Sequence, residues 1–324
     1  MISIIVYHQT DKISAFFKQL MQYLRTILRK PRLLLTILFL FILSGSVPAQ
    51  SITLYSFPPP HPIRWHSPHS LLVSTLRNYY TKADYIPRRM LGHMVIELKK
   101  DSSVILTGIA PDAMANLRRS VLDDKVGLGV LFEMVAGHLE EKDKVQAEID
   151  YRTQRSHAAF ITFDISDAAY DFLKLYIDSF RIKGYDKRYN GCNSPRTGEG
   201  SGCTAFGMSF LELINAVAAD YKEQWAVGVK VPTRLIGDSV TKNKVSIWRL
   251  FFSFRWGHNN RPYRFLNLYD PYLIYNWIND TWEKEHNSPS ARYQLKKTGN
   301  AKGLEVDCRS CLPVSPMFPV KASS

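Results

Sequence analysis

Residues 199–216 read EGSGCTAFGMSFLELINA, a glycine-rich loop that runs directly into an apolar helix. Within and just after this stretch, apolar residues recur at spacings of three and four, which is typical of a helix with one buried face: Phe206, Phe210, Leu213, Ile214 and Val217. Cys203 stands at the predicted start of the helix, one turn before the first of these residues. We therefore expect the thiol to share the buried face of the helix.

The position of Cys203 permits three interpretations: a nucleophile, half of a disulfide, or a small buried apolar group. Backbone N–H groups and the helix dipole stabilise negative charge at a helix start, which lowers a thiol pKa and favours the nucleophilic thiolate. The same N–H groups are suited to binding an oxyanion. Glycines at 198, 200 and 202 allow a substrate to approach the backbone closely. Cys192, eleven positions earlier, is available as a disulfide partner.

The N-terminal segment has the pattern of a secretory signal peptide. Residues 33–43 read LLLTILFLFIL, follow four basic residues and precede a small-x-small end at Val47 and Ala49. The apolar run is shorter than an ordinary membrane-spanning helix. We expect cleavage after Ala49 and export to the periplasm or the exterior; the alternative is an uncleaved anchor.

The chain of 324 residues carries a formal net charge of +13. Its first 49 residues hold six basic residues and one acid, so an exported chain without them has a net charge of 13 minus 5, or +8. A moderately basic exported protein suits anionic cell-wall polymers or lipid headgroups. We found no basic cluster of the kind that would favour nucleic acid as a partner, and expect membrane contact only through an uncleaved signal segment.

Export also affects how the four cysteines are interpreted, because an even count in an oxidising compartment favours disulfides. The disulfide candidates are Cys192, Cys308 and Cys311. The last two form a C-x-x-C pair, but no βαβ context of a thioredoxin-like protein precedes them. A zinc site from all four cysteines lacks the usual close ligand spacing. We expect no metal and no cofactor.

Local patterns predict the remaining elements. Residues 50–70 are interpreted as an extended lead-in, followed by a helix capped by Ser67. Two β-rich segments, His93–Leu98 and Val104–Ile109, predict a hairpin. Residues 111–150 are predicted to be helical, 157–166 to be a strand, and the segment after Ser166 to be a helix. The C-terminal part is aromatic-rich, and most of its tryptophans are expected in packed positions rather than in a sugar or lipid groove.

A nucleophilic cysteine needs a base, and His93 is the best candidate because it opens the strand GHMVIEL. A histidine at a strand start followed in sequence by a cysteine at a helix start, here GCTAF, resembles the circularly permuted papain-like fold. That fold is shared by permuted NlpC-type cell-wall hydrolases and lecithin retinol acyltransferase relatives. The similarity covers roughly residues 90–220, with Gly202 where the family commonly has Asn.

The resemblance implies an α+β fold in which an antiparallel sheet packs on the cysteine-bearing helix. Together with the patterns at both ends of the chain, it predicts four segments: signal peptide 1–49, lead-in and helix 50–89, papain-like core 90–220 with a helical insertion at 111–150, and an aromatic-rich C-terminal extension and polar tail 221–324. In the family a third catalytic group lies on the strand after the histidine strand, where Thr107 is the main polar option. Tyr189, Gly202 and Thr204 are the candidates for substrate contact.

These residues predict an exported cysteine hydrolase or acyltransferase. Cys203 would attack an amide or ester carbonyl of a peptidoglycan peptide or acyl lipid, and His93 would carry the proton. The N–H of Cys203 and a neighbouring loop N–H would bind the oxyanion. The alternative is a non-enzymatic cell-envelope binding or assembly protein on the same scaffold, with a structural Cys203.

Overall fold

The structure is a computed structural model, which describes residues 50–82, 89–112, 119–191, 194–198, 200–237 and 243–319. The predicted signal peptide and Cys192 lie outside the described residues. Residues Gln50–Ser324 form one compact unit. Among the residues described, no helix has both the length and the apolar character needed to cross a membrane.

In the described part of the chain, ten strands form two sheets. The strands are β1 Gln50–Phe57, β2 His93–Lys100, β3 Ser103–Pro111, β4 Val135–Leu139, β5 Ala159–Ile165, β6 Arg188–Tyr189, β7 Ala226–Pro232, β8 Tyr263–Tyr269, β9 Gln294–Thr298 and β10 Ala301–Asp307. The large sheet has the order β6-β4-β3-β2-β1-β5-β10-β9, and β7 pairs with β8 separately. The large sheet is mixed, because β10 runs parallel to β5 while the other neighbours pair antiparallel. The expected α+β class is confirmed.

The described residues also form α1 Pro68–Tyr80, α2 Lys142–Gln154, α3 Asp167–Ile182, α4 Cys203–Leu213, α5 Ala219–Trp225, α6 Ile247–Phe251 and α7 Pro271–Asn287. The Ser67 and Ser166 side chains accept hydrogen bonds from backbone N–H groups in the first turns of α1 and α3, as their positions in the sequence predict. The predicted hairpin and the helix beginning at Cys203 are also present.

Alternation along β2 divides the core into two layers. Met94, Ile96 and Leu98 point to one face of the sheet, where they pack in a core cluster with residues of α3, α4 and α7. Val95 points to the other face and packs with Val145 and Ile149 of α2. Cys203 belongs to the first cluster. His93 is two positions from Val95 along β2, so it lies on the face of the sheet that carries the second cluster.

Two predictions about local structure were wrong. Residues 50–57 are the strand β1 between β2 and β5, not part of an extended lead-in, and every residue of the strand is buried. Its serines and threonines obscured the pattern of a strand buried on both faces. The apolar stretch 126–139, predicted as helix, contains a short 3₁₀ turn and β4. In the described part of the predicted helical segment, residues 119–122 are helical and a longer helix begins at Lys142.

One sheet crosses the predicted segment boundaries near residues 90 and 220. It includes β1 from the predicted lead-in and β9 and β10 from the predicted C-terminal extension and tail. Cys308 is bonded to Cys311, immediately after β10. The Cys308 N–H donates to the carbonyl of Asp164, so this end of the chain is held against β5.

Candidate functional site

Cys203 and His93 meet at the beginning of β2. Cys203 is a free thiol, 8% exposed, and is the first residue of α4. The thiol is hydrogen-bonded to the His93 side chain and to the backbone N–H of Met94. Pairing between β2 and β3 starts at Val95 and Gly108, so Met94 lies one position before the first residue of β2 that pairs with β3. The fold thus places a helix-start thiol beside an imidazole and a backbone donor.

The partner that orients His93 is Glu140, a residue that the sequence analysis did not select. Its Oε2 lies 2.6 Å from Nε2 of His93. Glu140 is fixed in turn by Arg89, whose Nη2 lies 2.6 Å from its Oε1, and by a backbone bond from its own N–H to the carbonyl of Gly108. With Nε2 engaged by the carboxylate, Nδ1 is the ring nitrogen left to exchange a proton with the thiol.

Thr107 does not orient the histidine ring. Its hydroxyl donates to the backbone carbonyl of Glu140 at 3.0 Å, and the side chain is fully buried. Thr107 alternates with Gly108 along β3, and Gly108 is the position that faces the His93 ring. The correction is therefore that Thr107 holds the chain at Glu140 while the Glu140 carboxylate takes the role assigned to Thr107.

A network of buried charge continues behind the pair. Nε and Nη2 of Arg89 bond both carboxylate oxygens of Glu148, at 3.1 and 2.6 Å, and Nε of Arg152 lies 2.7 Å from Glu148 Oε1. Each carboxylate in this network therefore has a cationic partner, which offsets the cost of its burial. The network carries no net charge whether His93 and Cys203 are neutral or form an ion pair.

The electrostatics of the site favour that ion pair. Burial and the positive charge of Arg89 oppose protonation of His93, but Glu140 and Cys203 outweigh them and raise its pKa to about 9. Burial raises the pKa of Cys203, but His93, the Met94 N–H and Arg89 outweigh this effect and lower it. Burial also raises the pKa of Glu140, yet His93 and Arg89 hold it well below its ordinary value. The arrangement therefore stabilises thiolate beside imidazolium.

The structure places the three candidates for substrate contact differently. The Tyr189 hydroxyl is hydrogen-bonded to the Cys203 side chain and receives the Cys203 backbone N–H, and its pKa is raised by burial and by the charge of the thiolate. Thr204 donates its hydroxyl to the carbonyl of Tyr269, so it anchors α4 to β8. Gly202 lies so close to Gly191 that a Cβ would meet its Cα at 2.7 Å. Tyr189 alone of the three contacts the thiol.

A substitution at Gly108 tests whether the contact between the Glu140 carboxylate and the His93 ring determines the pKa of the ring. A Cβ at this position would lie 2.5 Å from Glu140 Oε2, 2.9 Å from Val95 Cγ1 and 3.2 Å from His93 Nε2. We expect Gly108→Ala to displace the carboxylate and lower the pKa of His93, with the pKa measured by NMR titration of the ring. Gly191→Ala is the matched control, since nothing lies within 4 Å of its added Cβ. An unchanged His93 titration in Gly108→Ala would contradict the assigned role of Glu140.

Two further findings bear on identity. Within the described part of the chain, no group of three or more His, Cys, Asp or Glu side chains is arranged to hold a metal ion. No protein-family model, curated protein or solved structure matches this chain.

Proposed function

We propose that the protein is a cysteine hydrolase or acyltransferase with Cys203 as nucleophile, His93 as general acid and base, and Glu140 as the group that orients the histidine. The observation that supports this most strongly is the chain of contacts from the free Cys203 thiol to the His93 ring and from Nε2 of that ring to Glu140 at 2.6 Å. A nucleophile, a base in contact with it and a third group that fixes the base are the components of nucleophilic catalysis.

In the proposed reaction the Cys203 thiolate attacks the carbonyl carbon of an amide or ester. The carbon–sulfur bond forms and the carbonyl π electrons move to oxygen. When the tetrahedral intermediate collapses, the bond to the leaving group breaks and the His93 imidazolium gives that group its proton. Water, or an acceptor hydroxyl or amine, then attacks the thioester while His93 takes a proton, and the Cys203 thiolate departs.

The oxyanion in this scheme is held by the backbone N–H of Cys203, at the start of α4, and by the Tyr189 hydroxyl. These two groups contact each other, and the hydroxyl also contacts the side chain of Cys203. Tyr189 keeps its proton near neutral pH because burial and the thiolate raise its pKa, so it remains a donor. This assigns the second oxyanion donor to a side chain in place of the expected loop N–H.

The proposal keeps the permuted papain-like interpretation of the core and a cell-envelope substrate, a peptidoglycan peptide or an acyl lipid. The core interpretation is supported by the order of the two residues, a histidine at a strand start and then a cysteine at the start of a helix that packs on the same strand. The substrate class rests on the expected export and the net positive charge.

The test is the pH dependence of Cys203 alkylation by iodoacetamide in the full chain. The rates at pH 6 and pH 9 are compared as a ratio, which cancels the limited access to a buried thiol. An ordinary thiol with a pKa near 8.5 would react more than about a hundredfold faster at pH 9 than at pH 6. For the ion pair we expect less than about a tenfold change. Trypsin separates the peptides that carry Cys192 and Cys203, because Arg196 lies between the two cysteines.

Three variants complete the test. Cys203→Ala is expected to abolish hydrolysis of a p-nitrophenyl ester, and Cys192→Ser is expected to leave it unchanged. His93→Gln is expected to restore an ordinary pH dependence of labelling at Cys203. Labelling of Cys203 that requires prior reduction or Cys192→Ser would favour a disulfide instead. A reactive thiol without ester hydrolysis would favour the binding or assembly protein.

A further inference from the structure

A second surface of the protein carries exposed aromatic side chains. It lies on the lobe formed by β7, β8, α1 and α6, which has its own small core that includes Val245, Leu250 and Leu266. Helix α6 contributes only Leu250 to this core. In the loop after the helix Trp256 also packs against this core, but four other aromatic side chains of the helix and loop are exposed. We call Trp248, Phe251, Phe252 and Phe254 the aromatic cluster.

The aromatic cluster is continuous and open to solvent. Trp248, Phe252 and Phe254 are 66%, 67% and 61% exposed. The ring of Trp248 lies 6.1 Å from that of Phe251 and 6.5 Å from that of Phe252. His69 of α1 joins Phe251 and Phe254, with ring centroids 4.8 and 4.7 Å away. Aromatic rings left in water as a contiguous group mark an interaction site more often than isolated exposed side chains do.

The charged residues of the segment that carries the aromatic cluster have one sign. Residues 243–266 contain five basic residues and no aspartate or glutamate. All five side chains are exposed: Lys244, Arg249, Arg255, Arg261 and Arg264. Elsewhere on this protein charges are mixed, as in the EEKDK run at 140–144. An apolar cluster on a segment whose charged side chains are all cations favours a partner that is both apolar and anionic.

We infer that the aromatic cluster and its surrounding basic residues dock the protein on a membrane surface that carries anionic phospholipid headgroups. Trp and Phe side chains partition into the boundary between headgroups and acyl chains, and Lys and Arg side chains bind the anionic headgroups above it. This contact would be made by the folded protein and needs no membrane-spanning segment. It extends the sequence-based expectation, which allowed membrane contact only through an uncleaved signal segment.

A bilayer fits the observations better than a nucleic acid or a second copy of the chain. Trp248 and Phe252 lie nearly parallel with ring centroids 6.5 Å apart, and Phe251 is edge-on to both, so these rings partly face one another. Bases would need open ring faces on which to stack. A second copy would bring the same five cations against one another, which like-charge repulsion opposes.

The surface is connected to the Cys203 site through β8. This strand begins at Tyr263, close to the basic segment, and ends at Tyr269, whose carbonyl accepts the Thr204 hydroxyl beside Cys203. Six residue steps along a strand span roughly 20 Å. Docking would thus hold the thiol near a lipid surface, although the docking inference does not depend on any activity of Cys203.

The test is co-sedimentation with vesicles, one set of phosphatidylcholine alone and one with a third of the lipid replaced by phosphatidylglycerol. Both the full chain and the compact unit Gln50–Ser324 are used, because the apolar run 33–43 can bind vesicles by itself. We expect the unit to bind anionic vesicles at least about tenfold more tightly than neutral ones, with binding weakened by salt.

Matched variants assign the binding to the surface. Replacing Trp248, Phe252 and Phe254 with serine, or Arg249 and Arg255 with glutamine, is expected to weaken binding to anionic vesicles by about tenfold or more. Controls remove exposed apolar residues elsewhere, Tyr80, Ile182 and Leu312 to serine, and exposed cations elsewhere, Arg181 and Lys187 to glutamine. The fold of every variant is verified by a circular dichroism spectrum and a urea unfolding midpoint equal to those of the wild-type unit.

Three results would overturn the inference. The first is equal binding of the unit to neutral and anionic vesicles. The second is equal loss of binding in the surface variants and the controls. The third is binding to a partner of another kind, a single-stranded oligonucleotide or a second copy of the chain. In that outcome the wild-type unit binds this partner but not vesicles, and the variant without the aromatic cluster does not bind it. Oligonucleotide gel shift and light scattering detect these two partners.

Discussion

Replacing Glu140 with glutamine is expected to slow alkylation of Cys203 at pH 6 by about a hundredfold or more, since each pKa unit is a tenfold change in thiolate fraction. Arg89 already donates to Oε1 of Glu140, so the glutamine oxygen would remain with Arg89 and its NH₂ would face Nε2 of His93. Nε2 would then have to accept a hydrogen bond, which moves the ring proton to Nδ1. In that tautomer His93 cannot take the thiol proton.

The direction of the pH effect is the same. Without the carboxylate the pKa of His93 falls from about 9, because burial and the charge of Arg89 are no longer opposed by Glu140. The pKa of Cys203 rises as the imidazolium is lost. The range of pH in which thiolate and imidazolium coexist therefore narrows from both sides. The measurement is the iodoacetamide rate at Cys203 from pH 5 to pH 10, with a p-nitrophenyl ester assay alongside.

Glu141→Gln is the control, since Glu141 is the adjacent residue, is exposed and pairs with Lys144. It should label with the wild-type pH profile. A Glu140→Gln protein that also keeps the wild-type profile would show that the carboxylate does not determine the tautomer of His93. The proposed catalytic arrangement would then lose its third member.

Replacing Arg89 with methionine is expected to lower the free energy of unfolding at pH 7 by about 3–5 kcal/mol, because two buried carboxylates lose the cation that they share. Arg89 bonds Glu140 and Glu148 at once, and all three side chains are nearly fully buried. Glu148 retains Arg152 and Glu140 retains His93, so each keeps one partner. The remaining network nevertheless has one negative charge in excess, in an environment that solvates it poorly.

The pH dependence of the loss of stability in Arg89→Met shows whether lost charge pairing or lost packing causes it. The folded-state pKa values of Glu140 and Glu148 are lowered, so their contribution to stability is present above the unfolded value near 4.5 and is lost as the pH falls. Arg89→Met should therefore differ most from wild type near neutral pH and least near pH 4. Urea unfolding at pH 7 and pH 4 measures this difference in stability.

Two further variants serve as controls. Adding Glu148→Gln to Arg89→Met should recover part of the lost stability, and replacing the exposed Arg77 with methionine should change stability by less than about 0.5 kcal/mol. A deficit that is the same at both pH values would mean that packing, not charge, is the cause.

The two predictions share a physical origin in the burial of the charges. In water, a carboxylate at the distance of Glu140 would shift the pKa of His93 only slightly, since the solvent screens the interaction. At the start of β2 the pair is enclosed by α4 on one face of the sheet and by α2 on the other. Because this enclosure excludes water, loss of Arg89 lowers the stability of the protein strongly. For the same reason, the intact Glu140 carboxylate strongly favours transfer of the Cys203 proton to His93.

Much of the site could be predicted from local signals in the sequence. The glycine-rich loop followed by a helical stripe located Cys203 at a helix start, because caps and periodicity depend on residues a few positions apart. The short polar segment between two β-rich runs predicted the hairpin that carries His93. Ser67 and Ser166 marked their helices by the same local chemistry. These features were found because the interactions that produce them lie within one or two turns of the chain.

Other features depend on contacts between distant residues. Glu140 lies 47 positions from His93, in a mixed-sign run that is indistinguishable from a solvated helix face when viewed as sequence. It reaches the ring because β3 and β4 pair and α2 then covers that face of the sheet. Strand β1 was missed for the same reason, since its burial comes from neighbours at residues 93–100 and 159–165.

The sequence alone therefore determines a helix-start cysteine, a strand-start histidine and their order along the chain. Tertiary structure adds that the two meet, that Glu140 replaces Thr107 as the partner of the ring, and that Trp248 is exposed rather than packed. The reason is that a hydrogen-bonded cap or a helical stripe is encoded over a few residues. Burial and the protonation states it imposes depend on which distant segments the sheet brings together.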